Sequence, residues 1–177
     1  MQQQIETLRL IIRRFQDQDW RDLYEYLSDE EVVRFEPYGV FSEEECKEAA
    51  ISRAKSNEFW AVCLKEGGKV IGNIYFAKQA FDTWELGYVF NRKFQKQGFA
   101  TESAEAMIDY AINELNGRRI IAMCNPKNEA SWRLLERLKM RREGHLLKNI
   151  YFKVDEKNEP IWVDTYEYAI LADEWKE

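Results

Sequence analysis

A six-residue segment between a predicted strand and a predicted helix constrains this chain most. It has the sequence Gln95-Lys96-Gln97-Gly98-Phe99-Ala100. Residues 84–90 before it have the pattern of a strand, and residues 101–115 after it have the pattern of a helix. A strand that turns tightly into a helix leaves backbone N–H groups unpaired at the helix start, where a partial positive charge favours an anion. The segment therefore predicts a phosphate-binding site.

The residue types in and before this segment fit such a site. Gly98 has no Cβ, so the backbone there can approach a ligand closely. Arg92, Lys93 and Lys96 place cations beside it, in a chain whose formal net charge is −6. The spacing matches neither GxGxxG nor GxxxxGK[ST]. A diphosphate-binding loop of another kind is predicted, and a simple turn into the helix is the alternative.

At these residues the chain resembles the GNAT N-acetyltransferases. Their pyrophosphate loop has the pattern Gln/Arg-x-x-Gly-x-Gly/Ala, which Gln95, Gly98 and Ala100 fit. The family also carries Asn-x-x-Ser before a later helix, which Asn128 and Ser131 fit. Residues 6–15 resemble the opening strand of the RimJ/RimL-like branch. The resemblance covers nearly the whole chain, but it does not specify a substrate.

Length and composition agree with a compact enzyme. A chain of 177 residues predicts a single domain, residues 1–177, and 45% hydrophobic residues argue against disorder. No apolar run is long enough for a membrane span, and the first residues lack the features of a signal peptide. Three widely spaced cysteines fit reduced thiols, so a cytoplasmic location is expected. The acidic balance argues against a nucleic-acid partner.

The order of the predicted elements indicates an α/β protein of the α+β type. Besides the strand at 6–15, strands are predicted at 59–64, 69–78, 84–90, 118–124, 142–153 and 161–172. Helices are predicted at 17–27, 42–55, 101–115 and 132–139, and a loop at 34–41. The resemblance implies a central mixed, mostly antiparallel sheet of about seven strands flanked by helices. It also implies that the fourth and fifth strands splay apart.

The resemblance further implies that acetyl-CoA lies in that gap, as a co-substrate. Its pantetheine arm would run along the fourth strand, at Tyr88, Val89 and Phe90, and would also contact Asn128 and Ser131. Its diphosphate would lie on the phosphate-binding loop and the first helical turn, at Gln95, Lys96, Gln97, Gly98, Phe99, Ala100 and Thr101.

The implied chemistry is transfer of an acetyl group from a thioester to an amine. A base must take a proton from the amine, and Glu85 on the fourth strand is the first candidate, directly or through a water. A backbone N–H near Val89 or Phe90 would stabilise the oxyanion. Ser131 is the candidate acid for the leaving thiolate. Asn128 and Ser131 have a structural alternative, because both residue types are common at helix starts.

Two other reactive residues receive structural interpretations. His145 is the only histidine and begins a predicted strand, which favours a structural or solvent-facing role. Cys124 is expected to line the cofactor gap as a small buried residue. One histidine with scattered cysteines does not make a ligand set, so no metal is expected.

The acceptor amine is the least determined part. Residues 34–41 contain aromatic side chains and Glu36, which would attract an amine; a loop anchored to the core is the alternative. The branch suggests the α-amine of a protein N-terminus, while polyamines, amino acids and aminoglycosides stay open. A catalytically silent CoA-binding sensor and an interaction protein on the same fold are further alternatives. The aromatic residues of the last two strands suggest a homodimer, or packing on the helices: Tyr151, Phe152, Trp162, Tyr166 and Tyr168.

Overall fold

A computed structural model describes residues 4–175. Its strands are β1 (Gln4–Glu6), β2 (Leu10–Arg14), β3 (Phe59–Leu64), β4 (Val70–Lys78), β5 (Thr83–Phe90), β6 (Arg119–Cys124), β7 (Arg141–Val154) and β8 (Pro160–Leu171). Its α-helices are α1 (Trp20–Leu27), α2 (Glu30–Val33), α3 (Glu43–Lys55), α4 (Phe99–Glu114), α5 (Glu129–Arg137) and α6 (Ala172–Trp175). None of the described helices is long and apolar enough to cross a membrane.

The strands form one sheet in the order β1-β2-β3-β4-β5-β6-β8-β7. Every neighbouring pair is antiparallel except β5 and β6, which are parallel. The expected mixed, mostly antiparallel sheet flanked by helices is therefore confirmed, with eight strands in place of about seven.

The extra strand is β1, which lies almost wholly before the predicted strand at 6–15, while β2 occupies only residues 10–14 of that prediction. β1 and β2 pair as a hairpin, with Ile5 opposite Ile12. Leu8 lies in the bend between them with 87% of its surface exposed, so residues 7–9 of the predicted strand were wrong. Hydrogen bonds between Thr7 and Leu10 close this bend, and Glu102 of α4 accepts from Thr7 Oγ1 and from the Arg9 N–H.

β5 and β6 separate as expected of the fourth and fifth strands of the family. Their pairing is limited to residues 83–85 of β5 and 119–121 of β6. Beyond Glu85 the two strands no longer pair, although β5 continues to Phe90 and β6 to Cys124. The sheet thus opens a gap whose closed end lies at Glu85.

Alternating side chains of β5 serve two cores, one on each face of the sheet. Leu86 and Phe90 belong to the larger core, which α4 covers. Val89 belongs to the smaller core, to which α1 and α3 contribute. Helix α3 begins close to the predicted start at residue 42, at a capping box in which Ser42 accepts from the Glu45 N–H and the Glu45 carboxylate accepts from the Ser42 N–H.

The last two strands form a long, largely exposed hairpin. Tyr151, Phe152 and Trp162 are each more than two-fifths exposed, whereas Tyr168 is buried and its hydroxyl donates to Glu136 of α5. Of the two roles expected for these aromatic residues, Tyr168 therefore packs on a helix. A homodimer formed through the exposed aromatic residues stays a prediction.

Candidate active site

The predicted phosphate-binding loop ends in a left-handed residue directly before α4. Gly98 has φ 84° and is the N-cap of the helix, and no side chain caps the helix there. The helix starts at Phe99, two residues earlier than predicted. As at any helix start, the N–H groups of its first turn have no acceptor within the helix. A loop of this shape fits an anion such as a diphosphate.

Arg9 holds this loop from the β1–β2 bend. Its Nε lies 2.7 Å from Oε2 of Glu102, and its Nη1 donates to the Gln97 carbonyl at 3.0 Å. Its guanidinium also stacks over the Phe99 ring, 4.3 Å from the ring centroid. Sequence reasoning missed this contact, because no pattern relates Arg9 to residues almost ninety positions away.

The polar side chains of the loop mostly support its own backbone. Nε2 of Gln95 donates to the Phe90 carbonyl at 3.0 Å, and Nε2 of Gln97 donates to the Lys93 carbonyl at 2.9 Å. The Phe99 side chain is buried in the core. Direct contacts of these residues with acetyl-CoA stay predictions, and the backbone N–H groups are the better candidates.

Tyr88 reaches across the gap between β5 and the helix that follows β6. Its hydroxyl lies 3.0 Å from Oγ of Ser131 and donates to the Ser131 carbonyl at 3.1 Å. Burial raises the pKa of Tyr88, and the contact with Ser131 acts in the opposite direction. Tyr88 is thus a neutral hydroxyl at neutral pH, able to exchange a hydrogen bond with Ser131.

Asn128 and Ser131 have the helix-start positions that the sequence offered as their alternative role. Oδ1 of Asn128 accepts from the Ser131 N–H at 3.3 Å, and Asn128 is the N-cap of α5. Cys124 lies beside Ser131 at the end of β6, where burial raises the pKa of its thiol to about 11. The structure therefore brings Tyr88, Cys124 and Ser131 together. Cofactor contacts of Asn128 and an acid role of Ser131 stay predictions.

Glu85 lies at the closed end of the gap, in the last residue pair that β5 makes with β6. Its side chain is half-buried, and its Oε2 accepts from Nε2 of Gln79 at 2.9 Å. This position agrees with a carboxylate near the reacting atoms. Its role as the base stays a prediction.

The loop at 34–41 lies over the smaller core, as one of the two interpretations expected. The rings of Tyr38 and Phe41 pack edge to face at 5.2 Å and contact this core. Glu36 is half-buried, and burial raises the pKa of its carboxyl to about 7, while the neighbouring Tyr38 hydroxyl and Arg53 lower it. Tyr38 and Phe41 thus anchor the loop to the core, and the Glu36 carboxyl lies in partly apolar surroundings.

His145 has a partner that the sequence did not reveal. Its Nε2 lies 2.9 Å from Oδ2 of Asp164 across the β7–β8 hairpin. Strand register, rather than sequence spacing, brings the two together on the exposed hairpin. His145 lies opposite Tyr166 of β8, which on its other side pairs with Cys124 of β6. Within residues 4–175, no three His, Cys, Asp or Glu side chains cluster closely enough to hold a metal ion.

Comparison with known proteins shows which family has this loop and this splayed sheet. Residues 9–141 match the family described as "Acetyltransferase (GNAT) domain". The chain belongs to the GNAT acetyltransferases. It is 42% identical over 174 residues to the uncharacterized N-acetyltransferase YnaD of Bacillus subtilis (strain 168), which covers 97% of this chain and 98% of the relative.

Solved structures of acetyltransferases have the same fold as this chain. The GNAT-family acetyltransferase from Bacillus anthracis superimposes with a TM-score of 0.88 and 38% identity, over 97% of this chain and 99% of that one. A spermidine N-acetyltransferase from Vibrio cholerae, solved with CoA and spermine, has the same fold, with a TM-score of 0.78, 18% identity and coverage of 95% and 98%.

A distant relative supports the resemblance to the RimJ/RimL-like branch. The [ribosomal protein uS5]-alanine N-acetyltransferase of Escherichia coli (strain K12) is 27% identical, over 97% of this chain and 92% of the relative. This GNAT chain is therefore an acetyltransferase that uses acetyl-CoA, and its acceptor has to be inferred.

Proposed function

We propose that this GNAT enzyme transfers the acetyl group of acetyl-CoA directly to a primary amine. One observation carries the proposal. The uncapped start of α4, which suits a diphosphate, adjoins the open end of a gap whose closed end holds Glu85. A pantetheine arm laid along β5 from the loop would direct its thioester towards that carboxylate.

Each chemical requirement has a candidate group in this arrangement. Glu85, directly or through a water, takes a proton from the amine, so that the nitrogen lone pair can attack the thioester carbonyl. A backbone N–H near Val89 or Phe90 stabilises the oxyanion. When the carbon–sulfur bond breaks, Ser131 donates its proton to the thiolate and regains one from the newly acylated nitrogen, which still carries a surplus proton. The Tyr88 hydroxyl, 3.0 Å from Oγ of Ser131, positions that side chain.

The α-amine of a protein N-terminus is the first proposed acceptor. The relative that acetylates an alanine of ribosomal protein uS5 aligns over nearly the whole chain, which supports this class. Small amines are the second class, because a protein of the same fold acts on spermidine. The net charge of −6 suits a cationic acceptor of either class.

Calorimetric titration with acetyl-CoA and then with free CoA tests the cofactor part. Saturable binding of both is expected, and its absence would contradict the site. Thiol release is then measured with an alanine-initiated peptide, spermidine, lysine and an aminoglycoside. Thiol release with only one of these compounds would identify the class of acceptor amine. Tight binding without turnover on any amine would favour the silent CoA-binding sensor instead.

A further inference from the structure

A partly enclosed cavity of about 230 Å³ lies at the end of the sheet opposite the phosphate-binding loop. It is lined by residues where β2 and β4 end, where β3 and β5 begin and where α4 ends. Helix α4 has 16 residues and rises about 24 Å from its start at the loop to its end at the cavity. Side chains alternate along β5, so Trp84 lines the cavity on the face that α4 covers, whereas Glu85 lies on the other face. The cavity is thus distinct from the site proposed for acetyl transfer.

Four aromatic side chains line this cavity: Trp60, Phe76, Trp84 and Tyr110. The Trp60 and Tyr110 rings meet edge to face with centroids 5.8 Å apart, and the Phe76 and Trp84 rings stack at 5.0 Å. Trp60, Phe76 and Tyr110 are buried in the larger core, which fixes the shape of the wall. An apolar cavity of about 150 Å³ holds a benzene molecule. This larger cavity therefore has room for one aromatic ring with a small substituent.

Arg14 places a half-buried positive charge on the same wall. Its Nη1 donates to the Asn57 carbonyl at 2.8 Å, and its guanidinium carbon lies 3.6 Å from the centroid of the Trp60 ring. Burial lowers the pKa of Arg14, and the group that acts against burial is Tyr110, with no carboxylate of residues 4–175 contributing. The other charged residues of the wall, Glu58 and Lys78, are exposed to water and opposite in sign. Arg14 therefore sets the charge that a ligand in the cavity meets.

The Trp84 side chain adds an unpaired hydrogen-bond donor to the wall. Within residues 4–175, its Nε1 is the one buried side-chain nitrogen or oxygen atom that has no hydrogen-bond partner. Buried donors are nearly always paired, so an unpaired one favours a ligand that brings an acceptor atom. The ligand that suits these walls combines an apolar ring with oxygen acceptors.

We propose that this cavity binds a small aromatic carboxylate, with its ring among Trp60, Phe76 and Trp84 and its carboxylate on the Arg14 guanidinium. A carboxylate accepts two parallel hydrogen bonds from a guanidinium, which has five N–H donors. A cation would be repelled by Arg14, and an uncharged ring would leave the guanidinium without a partner. The site goes beyond the proposed acetyl transfer and does not depend on it.

The experiment is a titration of the protein with para-fluorobenzoate, followed by fluorine NMR of the ligand. Saturable binding with a dissociation constant of about 1 mM is expected, as suits so small a ligand. The uncharged para-fluorobenzyl alcohol should bind about tenfold more weakly, and the cation of para-fluorobenzylamine should not bind detectably. Saturation with free CoA should leave the affinity for para-fluorobenzoate unchanged, because the phosphate-binding loop lies at the other end of α4. Displacement of the probe by CoA would place it in the acetyl-CoA gap and overturn the proposal.

Arg14→Met removes the charge and keeps most of the apolar stem of the side chain. It should bind para-fluorobenzoate about tenfold more weakly and para-fluorobenzyl alcohol as wild type does. Arg21→Met removes the same charge from the exposed face of α1 and should leave both affinities unchanged. Absence of saturable binding to wild type, equal affinity of wild type for acid and alcohol, or unchanged affinity of Arg14→Met for the acid would each overturn the proposal. The comparison of acid, alcohol and amine in wild type decides the matter even if Arg14→Met does not fold.

Discussion

The Tyr88 hydroxyl lies 3.0 Å from Oγ of Ser131, so a side chain of β5 spans the gap to the first turn of α5. No local sequence pattern predicts a direct contact between these residues, which are 43 positions apart. The contact lies where β5 and β6 have already separated, on the proposed path of the pantetheine arm. It makes Tyr88 and Ser131 one unit whose loss should affect the chemical step.

Ser131→Ala should lower kcat about 100-fold, because the thiolate would leave without an acid. Tyr88→Phe should lower it less, since Ser131 keeps its own hydroxyl. Steady-state kinetics gives kcat, and calorimetry should report an acetyl-CoA affinity close to wild type in both variants. Tyr151→Phe on the exposed hairpin is the matched control. Unchanged kcat in Ser131→Ala would exclude Ser131 as the acid.

Glu85→Gln should lower turnover by about 100-fold or more while acetyl-CoA still binds. The amide cannot accept the proton, but it keeps the size of the side chain and its contact with Gln79. The pH–rate profile should lose the limb that belongs to the base. Glu156→Gln in the exposed hairpin turn serves as control. Full activity of Glu85→Gln across the pH range would remove Glu85 as the base.

Gly98→Asp should abolish detectable binding of acetyl-CoA in calorimetry. A carboxylate would repel the diphosphate, and φ of 84° strains any side chain. Gly39→Asp introduces the same charge where nothing lies within 4 Å of the new Cβ, and it should bind as wild type does. If Gly98→Asp kept its affinity, the loop would be only a turn into the helix.

Arg9→Met should weaken acetyl-CoA binding roughly tenfold, the equivalent of about 1.4 kcal/mol. The substitution removes the contacts with Glu102 and the Gln97 carbonyl that hold the loop before a ligand arrives. Thermal stability should change little, because exposed ion pairs contribute at most about 1 kcal/mol. Arg21→Met, another exposed arginine, is the control. A loss of stability without a loss of affinity would contradict this role.

The raised pKa of Glu36 should make the protein less stable as pH rises from about 4.5 to 7. In that range the folded state holds the Glu36 proton more tightly than the unfolded chain, so the free energy of unfolding falls with pH. The loss is of the order of 2 kcal/mol for this half-buried group. Urea denaturation of wild type and Glu36→Gln at pH 5 and pH 8 measures it. The variant should gain stability relative to wild type at pH 8, and parallel profiles would contradict the assignment.

Local patterns of the sequence predicted most elements of the fold. The helix predicted at 42–55 and the strands predicted at 59–64 and 69–78 form close to those bounds. The capping box at Ser42 and the turn at residues 67–68 each involve residues only a few positions apart. The phosphate-binding loop was found for the same reason, since strand, glycine and helix follow one another along the chain. The bend at residues 7–9 was missed, because alternating apolar residues suggested a continuous strand and the contacts of the bend with the distant Glu102 leave no local pattern.

The sequence by itself determined the family, the phosphate-binding loop and the side-chain types available for acetyl transfer. Only the tertiary structure decided which of these side chains meet. Arg9 holds the loop, Tyr88 reaches Ser131, and His145 finds Asp164, each through packing between distant segments. The surroundings of Glu36 were equally hidden, since burial of its side chain within the folded protein, and not residue type, raises its pKa.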